Sequence, residues 1–262
     1  MPTVTISAAP SLTICSGQTT TLTVSGAVSY LWSTGAVTTS ISVNTAGLYS
    51  VTGTDANGCT NTANVTVVVN PLPSININSN PGLTICNGSS TTLTASGATS
   101  YVWSNGANTA STTVTLPGNY TVTGTDINGC TATARVTVVV NPLPTISITP
   151  NPGLTVCSGT NVTLTASGAT SYVWSTGAST PAITVNTSGT YTVTGTDANG
   201  CTNTQSATVV VNPLPTLTVT AAPSLTICSG QSTTLTVSGA VSYVWSNGAV
   251  IPFALFIFLI LR

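Results

Sequence analysis

The sequence predicts an all-β protein, a tandem array of small β-sandwiches on a 71-residue repeat. Three observations predict it. Trp32, Trp103, Trp174 and Trp245 recur at that spacing, as do Cys15, Cys86, Cys157 and Cys228, and again Cys59, Cys130 and Cys201. Segments such as "TTTLTVSG", "YSVTG" and "NVTVVV" alternate apolar and polar residues with period two, the pattern of strands with one buried face. No stretch carries a helical period, and Ser-Gly, Thr-Gly, Ala-Gly and Asn-Gly pairs punctuate the runs.

Taken in order, the first repeat reads as seven strands: Thr3–Ser7, Leu12–Ile14, Thr20–Ser25, Ser29–Ser33, Thr38–Val43, Leu48–Gly53 and Thr60–Val69. "NPLP" marks the joints at Asn70, Asn141 and Asn212. The Pro pairs stiffen those joints and deny the chain a flexible linker. The expected domains are residues 1–71, 72–142 and 143–213, a partial fourth repeat at 214–250, and a hydrophobic tail at 251–262. Repeat four follows repeat one with six mild differences across Thr216–Val250 against Thr3–Val37. In "YLWS" and "YVWS" the Tyr and the Trp share a strand face, which reads as core packing against the opposite sheet, with sugar stacking by the Trp as the other reading.

Composition removes most enzyme mechanisms. The 262 residues contain no His, Lys or Glu; Asp55, Asp126 and Asp197 are the only acids, and Arg135 and Arg262 the only basic side chains. A Ser nucleophile has no base, and paired-carboxylate chemistry has no pair. Two Arg make no surface for phosphate backbones, so no nucleic acid partner is expected. The chain is 41% hydrophobic with a net charge of −1, the opposite of a disordered composition. Such β-prone, nearly uncharged chains are prone to associate.

A core of about 70 residues needs extra fastening. Two cysteines per repeat can supply it, and the expected pairs are Cys15 with Cys59, Cys86 with Cys130, and Cys157 with Cys201, leaving Cys228 over. Closing a loop of that length stabilises a unit by roughly 3–4 kcal/mol in the chain-entropy model. Disulfides place the protein outside the cytosol. Buried free thiols and metal-binding cysteines are the other readings of these residues.

All three acids stand in one recurring turn, "TDANGCT" at Thr54–Thr60 and Thr196–Thr202 and "TDINGCT" at Thr125–Thr131. Two readings compete. Asn-Gly is the preferred pair of a type I′ hairpin turn, and a preceding Asp can accept local amides. Alternatively, Asp55 with Asn57, Asp126 with Asn128, and Asp197 with Asn199 begin a calcium loop, since Ca²⁺ takes six to eight oxygens from carboxylates, amides and carbonyls. One carboxylate per turn makes a weak site unless a neighbouring unit or chain completes it.

"SGQTTTLTVSGAVSYLWSTG" followed by "AGLYSVTGTDANGCTNTANVTVVV" resembles the tandem immunoglobulin-like or polycystic-kidney-disease-like repeats of large surface proteins in Bacteroidota. The family pattern falls on Gly17, Leu22–Gly26, Tyr30 with Trp32, Gly47–Thr52 and Asp55–Cys59, and covers Thr3–Val250. The resemblance implies immunoglobulin-like sandwiches, export to the bacterial cell surface or beyond, and roles as adhesins, stalks or fibres. "WSTG" and "WSNG" replace the family's acidic "WDFGDG", so any role of those acids does not carry over.

The chain departs from the repeat after Val250, where "IPFALFIFLILR" stands in place of the expected "TTSISV". Eleven uncharged residues are too few for a membrane-spanning helix, so no transmembrane span is expected. A truncated or frame-shifted end, an anchor, or a strand that docks on a neighbour are the readings. The expected function is structural: a segment of an extracellular fibre or adhesin stalk, calcium-stiffened and self-associating through exposed strand edges. The alternative is a module whose Thr-x-Thr faces bind glycans, cell surfaces or ice.

Overall fold

Alternation along the chain builds the strands as read. In "TTLTVS", Thr20, Leu22 and Val24 are buried while the residues between them face outward. In "GLYSVTGT", Tyr49, Val51 and Gly53 turn inward in the same way. The structure, a computed structural model, describes residues 1–246, 248, 250–251 and 257–260. Those residues contain strands and no helix. The chain divides into two units, Met1–Pro142 and Leu143–Arg262.

The first unit holds two sandwiches. The first sandwich comprises β1 (Thr5–Ala9), β2 (Thr13–Cys15), β3 (Thr20–Ser25), β4 (Ser29–Trp32), β5 (Ser40–Val43), β6 (Gly47–Thr54) and β7 (Thr60–Asn70). One sheet runs β1-β3-β5 and the other β2-β7-β6-β4. All neighbours are antiparallel except β2 and β7, which pair in parallel with Cys15 opposite Asn70. Ile14, Leu22, Val24, Trp32, Val43, Tyr49, Val51 and Val67 from both sheets form the core. Seven strands in two sheets around such a core make an immunoglobulin-like sandwich.

The second sandwich repeats this plan with β8 (Asn76–Asn80), β9 (Thr84–Cys86), β10 (Thr91–Ser96), β11 (Ser100–Trp103), β12 (Ser111–Val114), β13 (Gly118–Thr125) and β14 (Thr131–Asn141), its sheets being β8-β10-β12 and β9-β14-β13-β11. Its core is separate and centres on Leu93, Trp103, Val122 and Val138. In the second unit, β15 (Ser147–Asn151), β16 (Thr155–Cys157), β17 (Val162–Ser167), β18 (Ser171–Trp174), β19 (Ala182–Val185), β20 (Gly189–Thr196) and β21 (Thr202–Asn212) do the same around Leu164, Trp174 and Val193.

The Tyr and Trp of each repeat lie in these cores. Trp32, Trp103 and Trp174 are each 2% exposed, and each indole Nε1 donates to a carbonyl six residues on, at Thr38, Thr109 and Thr180. Tyr30 Oη accepts from the Ala27 amide and donates to the Ala27 carbonyl, a pair repeated at Tyr101, Tyr172 and Tyr243. Because Thr38 gives its carbonyl to the indole, β5 starts at Ser40 rather than at Thr38 as read from the sequence.

The fourth copy is incomplete. It has β22 (Thr218–Ala222), β23 (Ser232–Ser238), β24 (Tyr243–Val244), β25 (Val250–Ile251) and β26 (Ile257–Ile260). Thr226–Cys228 matches β2 in sequence but forms no strand, and no counterpart of its parallel partner β7 occurs among the described residues. In the tail only Ile251 and Ile257–Ile260 are described; the rest of 252–262 lies outside the described residues. The backbone of β26 pairs antiparallel with β23, the position β5 holds against β3.

Candidate functional site

Two turns of each repeat carry its cysteines, and each turn is built from the residues beside its sulfur. At the end of β2, Ser16 N donates to the Asn70 carbonyl at 2.8 Å and Gln18 N to the Cys15 carbonyl at 2.9 Å. Gln18 Oε1 accepts the Cys15 amide at 3.0 Å. Gly17 closes the turn at φ +84°, a conformation that L side chains resist. Cys15 is thus held at the end of the sandwich where the chain leaves through Asn70 and Pro71 for the next repeat.

The second turn carries the acid. Asp126 Oδ1 accepts the amides of Asn128 at 2.9 Å and Cys130 at 2.8 Å. Asp126 N donates to the Cys130 carbonyl, and Gly129 N to the Asp126 carbonyl. Gly129 has φ +79°, and among the described residues none other than glycine has a positive φ. A type I′ turn needs positive φ at both central residues, so that expectation is corrected. This is a three-residue loop in which a type I turn is followed by a left-handed glycine. Asp55 and Asp197 make the same pair of bonds, to Asn57 and Cys59 and to Asn199 and Cys201, at 2.8–2.9 Å.

These two kinds of turn meet across a joint. Cys15 of the first sandwich is bonded to Cys130 of the second, with Cα atoms 5.5 Å apart and a sequence separation of 115. The expected pairing within a repeat is therefore wrong. Cys15 is bonded to neither Cys59 nor any residue of its own repeat, Cys86 is not the partner of Cys130, and Cys59, Cys157 and Cys228 are free thiols. Cys86 and Cys201 are both disulfide-bonded.

Strand geometry explains the error. Cys15 lies opposite Asn70 at one end of β7, whereas Cys59 precedes Thr60 at the other end. Ten steps of about 3.3 Å separate those ends by roughly 33 Å, and a disulfide needs Cα atoms within about 7 Å. The hairpin of the second sandwich begins β14 at the end nearest the joint, so Cys130 is the sulfur that Cys15 can reach. Burial follows bonding: Cys130 is 0% exposed, while Cys59, in the equivalent turn of the first sandwich, is exposed. A cleft of about 300 Å³ beside the bond is lined by Cys15, Ser16, Gly17, Gln18, Leu72, Gly129 and Thr131.

The turns therefore gather sulfur rather than charge. Among the described residues no group of three or more His, Cys, Asp or Glu side chains comes together. One carboxylate oxygen of each Asp is already engaged by two amides.

No family model matches the chain, and no curated protein matches it. Among solved structures it is similar to a Ca²⁺-stabilized adhesin with which an Antarctic bacterium reaches out and binds ice, at 16% identity over 91% of this chain and 82% of that one, with a TM-score of 0.35. It is also similar to a 1.5-MDa bacterial ice-binding adhesin (15% identity, 81% and 99% covered, TM-score 0.31) and to the titin fragment I67–I69 (13%, 81% and 99%, TM-score 0.38). At these scores and identities no function passes from those proteins to this chain.

Proposed function

We propose that the chain is a structural, tension-bearing stretch of an extracellular fibre or adhesin stalk, built of repeats bounded at residues 71, 142 and 213. The observation that carries this reading is the Cys15–Cys130 bond, which fastens one sandwich to the next instead of fastening each to itself. A pull on the chain that enters before Cys15 and leaves after Cys130 passes through the sulfur bridge. The 115 steps between them are shielded from the load. A disulfide of this kind belongs to an oxidising compartment, and the composition leaves no machinery for catalysis.

Single-molecule stretching tests it. Without reductant, unfolding the first two sandwiches should release only the chain outside the bridge. Reductant should add about 40 nm of contour length at ~3.5 Å per residue. Full release without reductant would overturn the reading.

A glycan- or surface-binding module is the alternative. Its support is the rows of exposed Thr, but several of those hydroxyls bond one another across strands, as Thr52 does with Thr62 and Thr190 with Thr208. Calcium at the Asp turns is a further reading of the same array, and what each turn offers it is a single carboxylate with one oxygen already accepting two backbone amides.

A further inference from the structure

The two sulfurs of the cross-joint bridge stand in different surroundings. Cys130 is 0% exposed. Cys15 is half-buried at the end of β2 and lines the cleft of about 300 Å³ beside the bond, whereas Cys130 does not. The rest of the cleft wall comes from both turns and the joint: Ser16, Gly17 and Gln18 beside Cys15, Gly129 and Thr131 on either side of Cys130, and Leu72. Nothing lies within 4 Å of where a Cβ on Gly17 or Gly129 would stand, so the space beside both turns is open. The wall carries no charged side chain. Asp126, three residues before Gly129, has one carboxylate oxygen held by the amides of Asn128 and Cys130.

A disulfide is opened by a thiolate that attacks one sulfur and expels the other, and access decides which sulfur is attacked. At this bridge access and leaving-group chemistry pull in opposite directions. A thiolate left on a buried sulfur lacks solvation, which by itself would favour attack on Cys130 and departure of Cys15. That preference only grades the rate. Burial of Cys130 removes the approach altogether, so access wins and the attack falls on Cys15.

We propose that the cleft at the joint is a docking site for a low-molecular-weight thiol, and that Cys15 Sγ is the sulfur this thiol attacks. The incoming thiolate bonds to Cys15 Sγ as the bond to Cys130 Sγ breaks. The electron pair leaves on Cys130 Sγ, which takes a proton from water. The products are a mixed disulfide at Cys15 and a buried thiol at Cys130. A second small thiol attacks the outer sulfur of the mixed disulfide and expels the Cys15 thiolate. Two small thiols are then oxidised to one disulfide, and the bridge is reduced to two protein thiols. In the reverse direction Cys130, still aimed by the Asp126 turn, attacks Cys15 Sγ of the mixed disulfide, expels the small thiol and remakes the bridge. The link between the first two sandwiches thereby answers to thiol in the surroundings. The proposal rests on the bridge itself and not on its carrying tension.

Iodoacetamide first blocks Cys59, Cys157 and Cys228 on the oxidised full chain. The chain is then exposed to excess reduced glutathione, quenched in acid at intervals, and mapped at the Cys15 and Cys130 peptides. Early samples should carry glutathione on Cys15 and a free thiol on Cys130, with adducts on Cys15 at least tenfold in excess of those on Cys130. Leu72→Trp, which fills part of the cleft, should slow opening of the bridge at least fivefold in the folded chain and leave its rate in denaturant unchanged. Adducts shared evenly between the two sulfurs, or found first on Cys130, overturn the proposal. So does a Leu72→Trp chain that opens as fast as the parent. A bridge that glutathione opens only in denaturant overturns it too, and leaves the stalk reading standing. A chain that maps without the Cys15–Cys130 bond before glutathione is added sinks both.

Discussion

Asp126 Oδ1 accepts the N–H of Cys130 at 2.8 Å, so the single acid of the second repeat shapes the backbone that delivers a sulfur to Cys15. A chain with three acids places all three in the turn that positions a cysteine. Hydrogen bonds to a charged acceptor contribute about 1.5–3 kcal/mol each, less where solvent reaches them. Asp126→Ala should cost about 1–3 kcal/mol in thermal or denaturant unfolding and lower the yield of the Cys15–Cys130 bond on oxidative refolding. Asp126→Asn keeps an acceptor and should lose less. Asp55→Ala should loosen its own hairpin and leave that bond intact.

Alkylation counts the thiols. Iodoacetamide on the folded chain should add three groups, at Cys59, Cys157 and Cys228, and seven after reduction and unfolding. Pairing within repeats would leave only Cys228 to react. In denaturant without reductant, where burial no longer shields a thiol, Cys15→Ser should raise the count from three to four by releasing Cys130.

The strands, the turns and the Trp cores were readable in the sequence because each rests on local signals: period two, a Gly in a turn, an aromatic on an inward face. The end of the sandwich at which a turn sits was not readable. It depends on β2 pairing in parallel with β7, a contact between Thr13 and Val68 that leaves no mark near either residue. Had β2 paired with the Thr60 end of β7 instead, Cys15 would have stood near Cys59 and the expected bridge would have been possible. The turn type was misread for a smaller reason: Asn-Gly permits type I′ but does not demand it, and Asp55, by accepting the amides of Asn57 and Cys59, holds the alternative.

Two glycines of β6 separate packing from backbone freedom. A Cβ on Gly53 would lie 2.7 Å from Val4 Cγ2 and 2.8 Å from Ala27 Cβ. Overpacking of this kind costs about 1–3 kcal/mol, which Gly53→Ala should show in denaturant unfolding. Gly47 has nothing within 4 Å of its would-be Cβ, so Gly47→Ala should stay within about 0.5 kcal/mol of the parent.

The indoles differ between complete and incomplete copies. Trp103 Nε1 donates to the Thr109 carbonyl at 3.0 Å, while Trp245 Nε1 is buried with no partner among the described residues. The equivalent of Thr109 in the fourth copy is Ile251, where the sequence has left the repeat. Trp103→Phe should therefore cost about 2–4 kcal/mol through a lost bond and a cavity, and Trp245→Phe less than about 1 kcal/mol, since it removes an unsatisfied donor along with the ring. Native-state hydrogen exchange reads the two copies separately and decides it.

Calcium provides the last comparison. The carboxylate oxygen that orders each Asp turn is committed to two backbone amides, and no second acid stands with it among the described residues. Calcium held by so few oxygens binds weakly, and stabilisation by a ligand vanishes when its concentration falls below its dissociation constant. Melts of the oxidised chain in 1 mM calcium and in chelator should coincide, with Asp55→Asn, Asp126→Asn and Asp197→Asn shifting both curves alike. A rise of several degrees with calcium, abolished by those substitutions, would make the turns ion ligands as well as cysteine holders, and the joints would then be stiffened by metal and sulfur together.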